Sequence, residues 1–189
     1  MLKLDDFSSN SEPSPTGLHL DGQGSSLFSL GNSRDELKAA IGTLELNQIR
    51  HIVSKGSWSN HQLVKYLLLK FGPAHLYMTT WSMTEDPLRQ LVQLRHEGLI
   101  LSARCILSER INERTPGVMQ FANSFFDELK LLRLHAKVTV LMGENYGLAV
   151  VGSANFTRNP RVEAGIIDTH LNAAHFHKNW ITDELRKSE

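Results

Sequence analysis

At 189 residues and 41% hydrophobic content, the chain is long enough to bury one sizeable core, and 20 basic against 20 acidic side chains exclude a polyanion binder driven by bulk charge. A lone cysteine, Cys105, excludes an internal disulfide and a cysteine-rich metal site. No apolar run reaches membrane-spanning length, and the opening residues Met1 to Asp6 lack the basic start and apolar run of a signal peptide, so a soluble cytoplasmic protein without membrane contact is expected.

Residues 1–43 read as a polar, flexible N-terminal arm rich in Ser and Gly, ending in a short helix that Ser33 to Glu36 would cap and Gly42 would close. Residues 44–189 read as one domain. Its first segment, Leu44 to Ser54, permits either a strand or a turn of helix. Ser59 or Asn60 then caps a helix through Lys70, with Leu63, Val64, Leu67 and Leu68 on one face and Gly72-Pro73 as the stop. Ala74 to Thr80 is a strand. A second helix follows Thr84, carries Pro87 in its first turn and stops at Gly98. Leu99 to Leu107, nearly continuous in apolar residues, suits a strand buried on both faces, with Cys105 as a small core residue. Val118, Phe121, Ala122, Phe125 and Leu129 predict a third helix from about Gly117 to Leu131. Three strands and a C-terminal helix from about Thr169 to Arg186 complete the order, the last helix burying Leu171, Ala174, Ile181 and Leu185. Alternation of this kind indicates an α/β fold, a mixed β-sheet sandwiched between helices.

The chemistry concentrates in two of the late strands. Leu134, Ala136, Val138 and Val140 alternate with His135, Lys137 and Thr139, so His135 and Lys137 would project from one face, roughly 6–7 Å apart along the strand. A histidine beside a lysine suits a phosphate: one can attack phosphorus, the other can neutralise its oxygens. After a hairpin loop at Gly143 to Gly147 comes Gly152-Ser153-Ala154-Asn155-Phe156-Thr157, in which Ser153 and Asn155 are neutral hydrogen-bonding groups and Gly152 would let a ligand approach the backbone. From Lys130 to Arg161 the positive side chains Lys130, Arg133, Lys137, Arg158 and Arg161 face only Glu144, a bias that an anionic substrate would favour. Arg158 and Arg161 are therefore candidate substrate-binding residues. Trp81 follows a strand end, where open sheets commonly bind ligands, and is a third.

This pattern resembles the phospholipase D superfamily, with its His-x-Lys and Gly-Ser-x-Asn elements, and within it the bacterial nuclease-like branch, which has a single motif per chain. His135, Lys137, Gly152, Ser153 and Asn155 match. Met142 stands where that family has an aspartate, a position that some working members also lack. The resemblance covers roughly residues 45 to 185 and implies a metal-independent phosphodiesterase acting on DNA or RNA. It also implies a homodimer that brings two copies of His135 together, one as nucleophile forming a phosphohistidine and the other as general acid. Glu163 lies near the position of an acidic residue that, in the family's nucleases, hydrogen-bonds the catalytic imidazole.

No Gly-rich nucleotide loop or zinc spacing is present, so neither a cofactor nor a metal is expected. His175 and His177 stand i, i+2 on a helix and do not share a face. His51, His61, His75 and His96 read as surface or boundary residues. A competing reading is a catalytically degenerate domain that binds nucleic acid or scaffolds a complex, consistent with Met142, the neutral net charge and the polar arm.

Overall fold

The computed structural model describes residues 19–20, 26–31, 37, 41–56, 58–111, 116–158 and 161–187. Within them a mixed sheet of nine strands is assembled. In chain order these are β1 (His19–Leu20), β2 (Ser26–Gly31), β3 (Ile49–Lys55), β4 (Ala74–Thr80), β5 (Ile100–Ser108), β6 (Glu128–Leu132), β7 (Val138–Met142), β8 (Gly147–Gly152) and β9 (Val162–Asp168). The helices are α1 (Asn60–Phe71), α2 (Glu85–His96), α3 (Pro116–Phe125) and α4 (Leu171–Arg186). Across the sheet the order is β1-β2-β3-β9-β8-β7-β4-β5-β6. Strands β4, β5 and β6 run parallel, as crossovers through α2 and α3 require, whereas β7, β8, β9 and β3 are antiparallel neighbours.

Alternation along the strands sorts side chains into two apolar clusters. Leu76 and Met78 of β4 join the larger one, with Leu63, Leu67, Leu88, Leu91 and Ala122 from α1, α2 and α3. Tyr77, between them, joins the smaller one with Val138, Val140 and Ala149, and Ala174 and Ile181 of α4 pack there. The expected α/β fold with a mixed sheet is thus present.

Local signals account for the helix ends. Gln62 reaches back to the Ser59 backbone N–H, 3.0 Å away, and so closes the start of α1. Thr84 precedes α2, with Glu85 and Asp86 in the first turn and Arg95 and His96 in the last, a charge order that suits the helix dipole. In the ambiguous segment 44–54, residues from Ile49 onward form β3. Most of the short helix expected after Ser33 lies outside the described residues, although Leu37 and Ile41 are helical, their side chains buried in the larger cluster.

Two expectations are corrected. The third helix ends at Phe125 instead of Leu131, and Leu129 and Leu131 belong to β6, paired in parallel with β5. Asp127 makes the break. Its backbone N–H donates to Ala103 O at 2.8 Å, and its carboxylate accepts from Ala103 N–H at 2.7 Å and from Arg95 at 2.7 Å. Those bonds start the ladder, and strand pairing with β5 overrides helical spacing. The second correction is Leu171, which is 49% exposed at the start of α4.

Candidate active site

The carboxyl ends of β4 and β8 and the amino ends of β7 and β9 lie at one edge of the sheet. His135 and Lys137 lie just before β7, in extended chain that regular pairing does not reach. A threonine side chain takes over there: Val138 N–H donates to Thr79 Oγ1 at 3.2 Å, and Thr79 Oγ1 donates to Ala136 O at 3.1 Å. Gly152 N–H adds a bond to Lys137 O at 3.2 Å. The alternation read from sequence holds through this segment. Leu134 and Ala136 pack with Val138 and Val140 on the α4 side, leaving His135 and Lys137 on the other.

Those two side chains sit in different environments. His135 is exposed, whereas Lys137 is 8% exposed. The Lys137 ammonium donates to His135 O at 2.7 Å and lies 3.4 Å from His135 Nε2. Burial holds the lysine below its ordinary pKa, an effect that the Glu163 carboxylate partly offsets. A buried cation backed by an anion, next to an exposed imidazole, can bind a phosphoryl oxygen while leaving a nucleophile accessible.

Ser153 and Glu163 face each other at the ends of β8 and β9. The Ser153 hydroxyl donates to Glu163 Oε2 and accepts from Ala164 N–H at 3.0 Å, and Ser153 N–H donates to Ala164 O at 2.9 Å. Within one chain, then, the Glu163 carboxylate accepts from the serine, while the Lys137 ammonium is the partner of both His135 O and His135 Nε2. Gly152 also answers a packing need. A Cβ there would stand 2.8 Å from Ala164 O, and one on its paired Gly165 would stand 2.7 Å from Val151 O, so the two glycines permit close approach of β8 and β9.

Asn155 is half-buried behind this edge, its Oδ1 3.3 Å from Thr80 Oγ1. Its loop is fixed from two directions. Phe156, fully buried, donates its N–H to Ser82 O at 3.2 Å and accepts from Thr84 N–H at 3.0 Å. Asn60, at the start of α1, donates to Ala154 O at 2.6 Å.

Trp81 lies beside His135, with ring centroids 6.1 Å apart and an interplanar angle of 59°. Arg158 is exposed and pairs with Asp86 at 2.9 Å, and Arg161 is exposed at the start of β9. Lys130 points elsewhere, to Glu184 O at 2.9 Å near the end of α4. Part of the local positive bias therefore caps a helix. Met142 is at the far end of β7, paired with His75 and Gly147 and packed in the α4 cluster. His61 corrects another expectation: it is 2% exposed, with Nδ1 2.9 Å from Ser59 Oγ. Among the described residues no group of three His, Cys, Asp or Glu is arranged to hold a metal ion. None of the described helices is long and apolar enough to cross a membrane.

Sequence reasoning missed Thr79 and Thr80. Their signal was faint: two hydroxyls ending a strand of otherwise apolar character, at the edge where the motif would lie.

No family model and no curated protein matches the sequence. Solved structures do match in fold. Nuc from Salmonella typhimurium, a phospholipase D family member, is 21% identical with a TM-score of 0.53, covering 72% of this chain and 92% of that one. TrmBL2, an archaeal chromatin protein, is 12% identical with a TM-score of 0.51, over 82% of this chain and 58% of that one. Polyphosphate kinase from Porphyromonas gingivalis is 16% identical with a TM-score of 0.50, over 75% of this chain and 26% of that one. This is a likeness of fold, shared with a phospholipase D family member.

Proposed function

We propose that the protein is a metal-independent phosphodiesterase, an endonuclease acting on DNA or RNA in the cytoplasm. It works as a homodimer of phospholipase D-like domains, residues 44–189, each a sheet flanked by helices, with β1 and β2 of the arm 1–43 added at the edge of that sheet. The observation that carries this reading is the meeting of an exposed His135, a buried Lys137, Ser153, Asn155 and Glu163 at one sheet edge.

In the proposed reaction, His135 of one subunit attacks phosphorus through Nε2. The bond from phosphorus to the leaving oxygen breaks, and the second subunit's copy of the same histidine delivers a proton to that oxygen. Water, deprotonated by the second imidazole, then displaces the first from the phosphohistidine and restores both rings. Lys137 holds the non-bridging oxygens, with Ser153 and Asn155 as further donors once Ser153 yields its bond to Glu163. Trp81 and Arg161 flank the path of the strand, and Arg158 joins them if a phosphate displaces Asp86. Histidine supplies the nucleophile and lysine the charge, so no metal or cofactor has a step to perform.

The test is hydrolysis of bis(p-nitrophenyl) phosphate and of single- and double-stranded nucleic acid in EDTA, by the wild type and His135→Ala. Activity that persists in the chelator and vanishes in a folded variant is expected. Activity retained by His135→Ala removes the assignment.

A second reading is favoured by one observation. TrmBL2, which shares the fold, is a chromatin protein described with a novel mode of DNA binding. A non-catalytic domain that binds nucleic acid or scaffolds a complex would retain DNA without cutting it. A wild-type dimer that shifts DNA in a gel but releases no product would establish this alternative.

A further inference from the structure

We infer that Thr80 is a positioning residue that orients the Asn155 carboxamide towards substrate phosphate, an inference that rests on the phosphodiesterase reading. Thr80 is fully buried at the last position of β4, on the sheet face opposite Thr79. Its Oγ1 accepts from Phe156 N–H at 3.3 Å. The single hydroxyl proton lies nearest Ser82 O at 2.9 Å, with Asn155 Oδ1 its second and longer acceptor at 3.3 Å. A carboxamide whose oxygen is held by a hydroxyl turns its NH2 the other way. The loop that carries Asn155 leaves β8 beside Lys137, whose O accepts from Gly152 N–H at 3.2 Å.

The direction matters chemically. An Nδ2 group facing the site offers hydrogen bonds to a phosphoryl oxygen, whereas a flipped carboxamide would set Oδ1 against that oxygen and repel it. An unrestrained half-buried Asn samples both orientations. Thr80 selects one of them before substrate arrives, and the same hydroxyl anchors Phe156, so the loop and the amide are set together. The neighbouring Thr79 hydroxyl braces the backbone on either side of Lys137. The strand thus ends in consecutive hydroxyls, each fixing a different half of the site.

The experiment compares Thr80→Ser, which keeps the hydroxyl, with Thr80→Val, which keeps the shape, in wild-type and Asn155→Ala backgrounds. All variants are first checked by thermal melting. With bis(p-nitrophenyl) phosphate, Thr80→Ser is expected within threefold of wild type, and Thr80→Val about tenfold down in kcat with little change in KM. In the Asn155→Ala background, Thr80→Val should cost almost nothing further. An equal loss in both backgrounds, or a serine variant as poor as the valine variant, overturns the inference. A second readout does not need turnover. The Asn155 side-chain NH2 resonance, identified by its loss in Asn155→Asp, should shift on adding orthophosphate to wild type and Thr80→Ser, and should stay unshifted in Thr80→Val. If the wild type hydrolyses nothing, the phosphodiesterase reading fails, and this resonance still decides the role of Thr80. An equal shift in Thr80→Val overturns it.

Discussion

The two ends of the β7–β8 hairpin are built from the same strands and could hardly differ more. At one end the backbone is held by a threonine hydroxyl, paired glycines bring β8 against β9, and charged side chains gather. At the other the packing is apolar and tight. A Cβ on Gly147 would stand 2.7 Å from Leu171 and 2.9 Å from Ala174, and Tyr146, donating to Gly72 O at 2.7 Å, has its hydroxyl pushed up to about 12 by burial. Met142 belongs to this second end. Met142 lies five residues beyond Lys137 and seven beyond His135, about 17 and about 23 Å along a strand, so the missing aspartate of the phospholipase D pattern concerns a region remote from His135. The contrast teaches that the departure at Met142 is a matter of packing, and that the site can be judged without it.

The largest expected effect attacks the polar end directly. His135→Ala and Lys137→Ala should each lower kcat/KM for bis(p-nitrophenyl) phosphate by about 10³-fold or more, and the variant at the exposed His135 should do so with unchanged melting temperature. A milder loss would show that the polar end is not where chemistry occurs. Next comes Gly152→Ala, whose new Cβ meets Ala164 O at 2.8 Å and must push β9 away. A stability loss of about 1–3 kcal/mol in denaturant titration, with a parallel fall in rate, is expected.

The buried ammonium allows a finer test. Because desolvation lowers the Lys137 pKa in the folded state, activity should decline as pH rises through that lowered value, below the ordinary lysine range near 10.5. Stability moves the other way. The unfolded chain holds this proton more tightly, so the cost of burying the charge is fully present below the folded pKa and is relieved as pH rises towards 10.5. Glu163→Gln removes the carboxylate that raises this pKa and should move the alkaline limb of the rate profile lower still. A limb that stays in place would separate the two groups. The smallest effect is expected at the apolar end. Met142→Asp should cost about 1–2 kcal/mol of stability and leave kcat within twofold, and a large gain in rate would break the comparison.

Much of this was legible because period and chemistry agreed. Ala74–Thr80 and the helices after Ser59 and Thr84 were read nearly to their ends, where caps and apolar spacing point to the same structure. The alternation from Leu134 to Val140 correctly sorted the site face from the α4 face. Reading failed where a tertiary bond decided the outcome. Asp127 turns a helical pattern into a strand by bonding Ala103, a residue 24 positions earlier. His61 is polar by type yet buried, because Ser59 lies beside its ring. In the site, Gly152 reads as room for a ligand, and the need of β9 for the same space shows only in the strand pairing. Thr80 was invisible because its partners, Asn155 and Phe156, are 75 and 76 positions away.

Mechanically, the segment before β7 is an overhang on a beam. Thr79 and Gly152 clamp it from Ala136 to Val138, and His135 projects one residue beyond the last clamp. A load applied at such a tip turns the tip and leaves the support at rest. On the proposed phosphodiesterase reading, the imidazole would be the part that moves as its bond to phosphorus forms, and the lysine inside the clamp the part that stays in place.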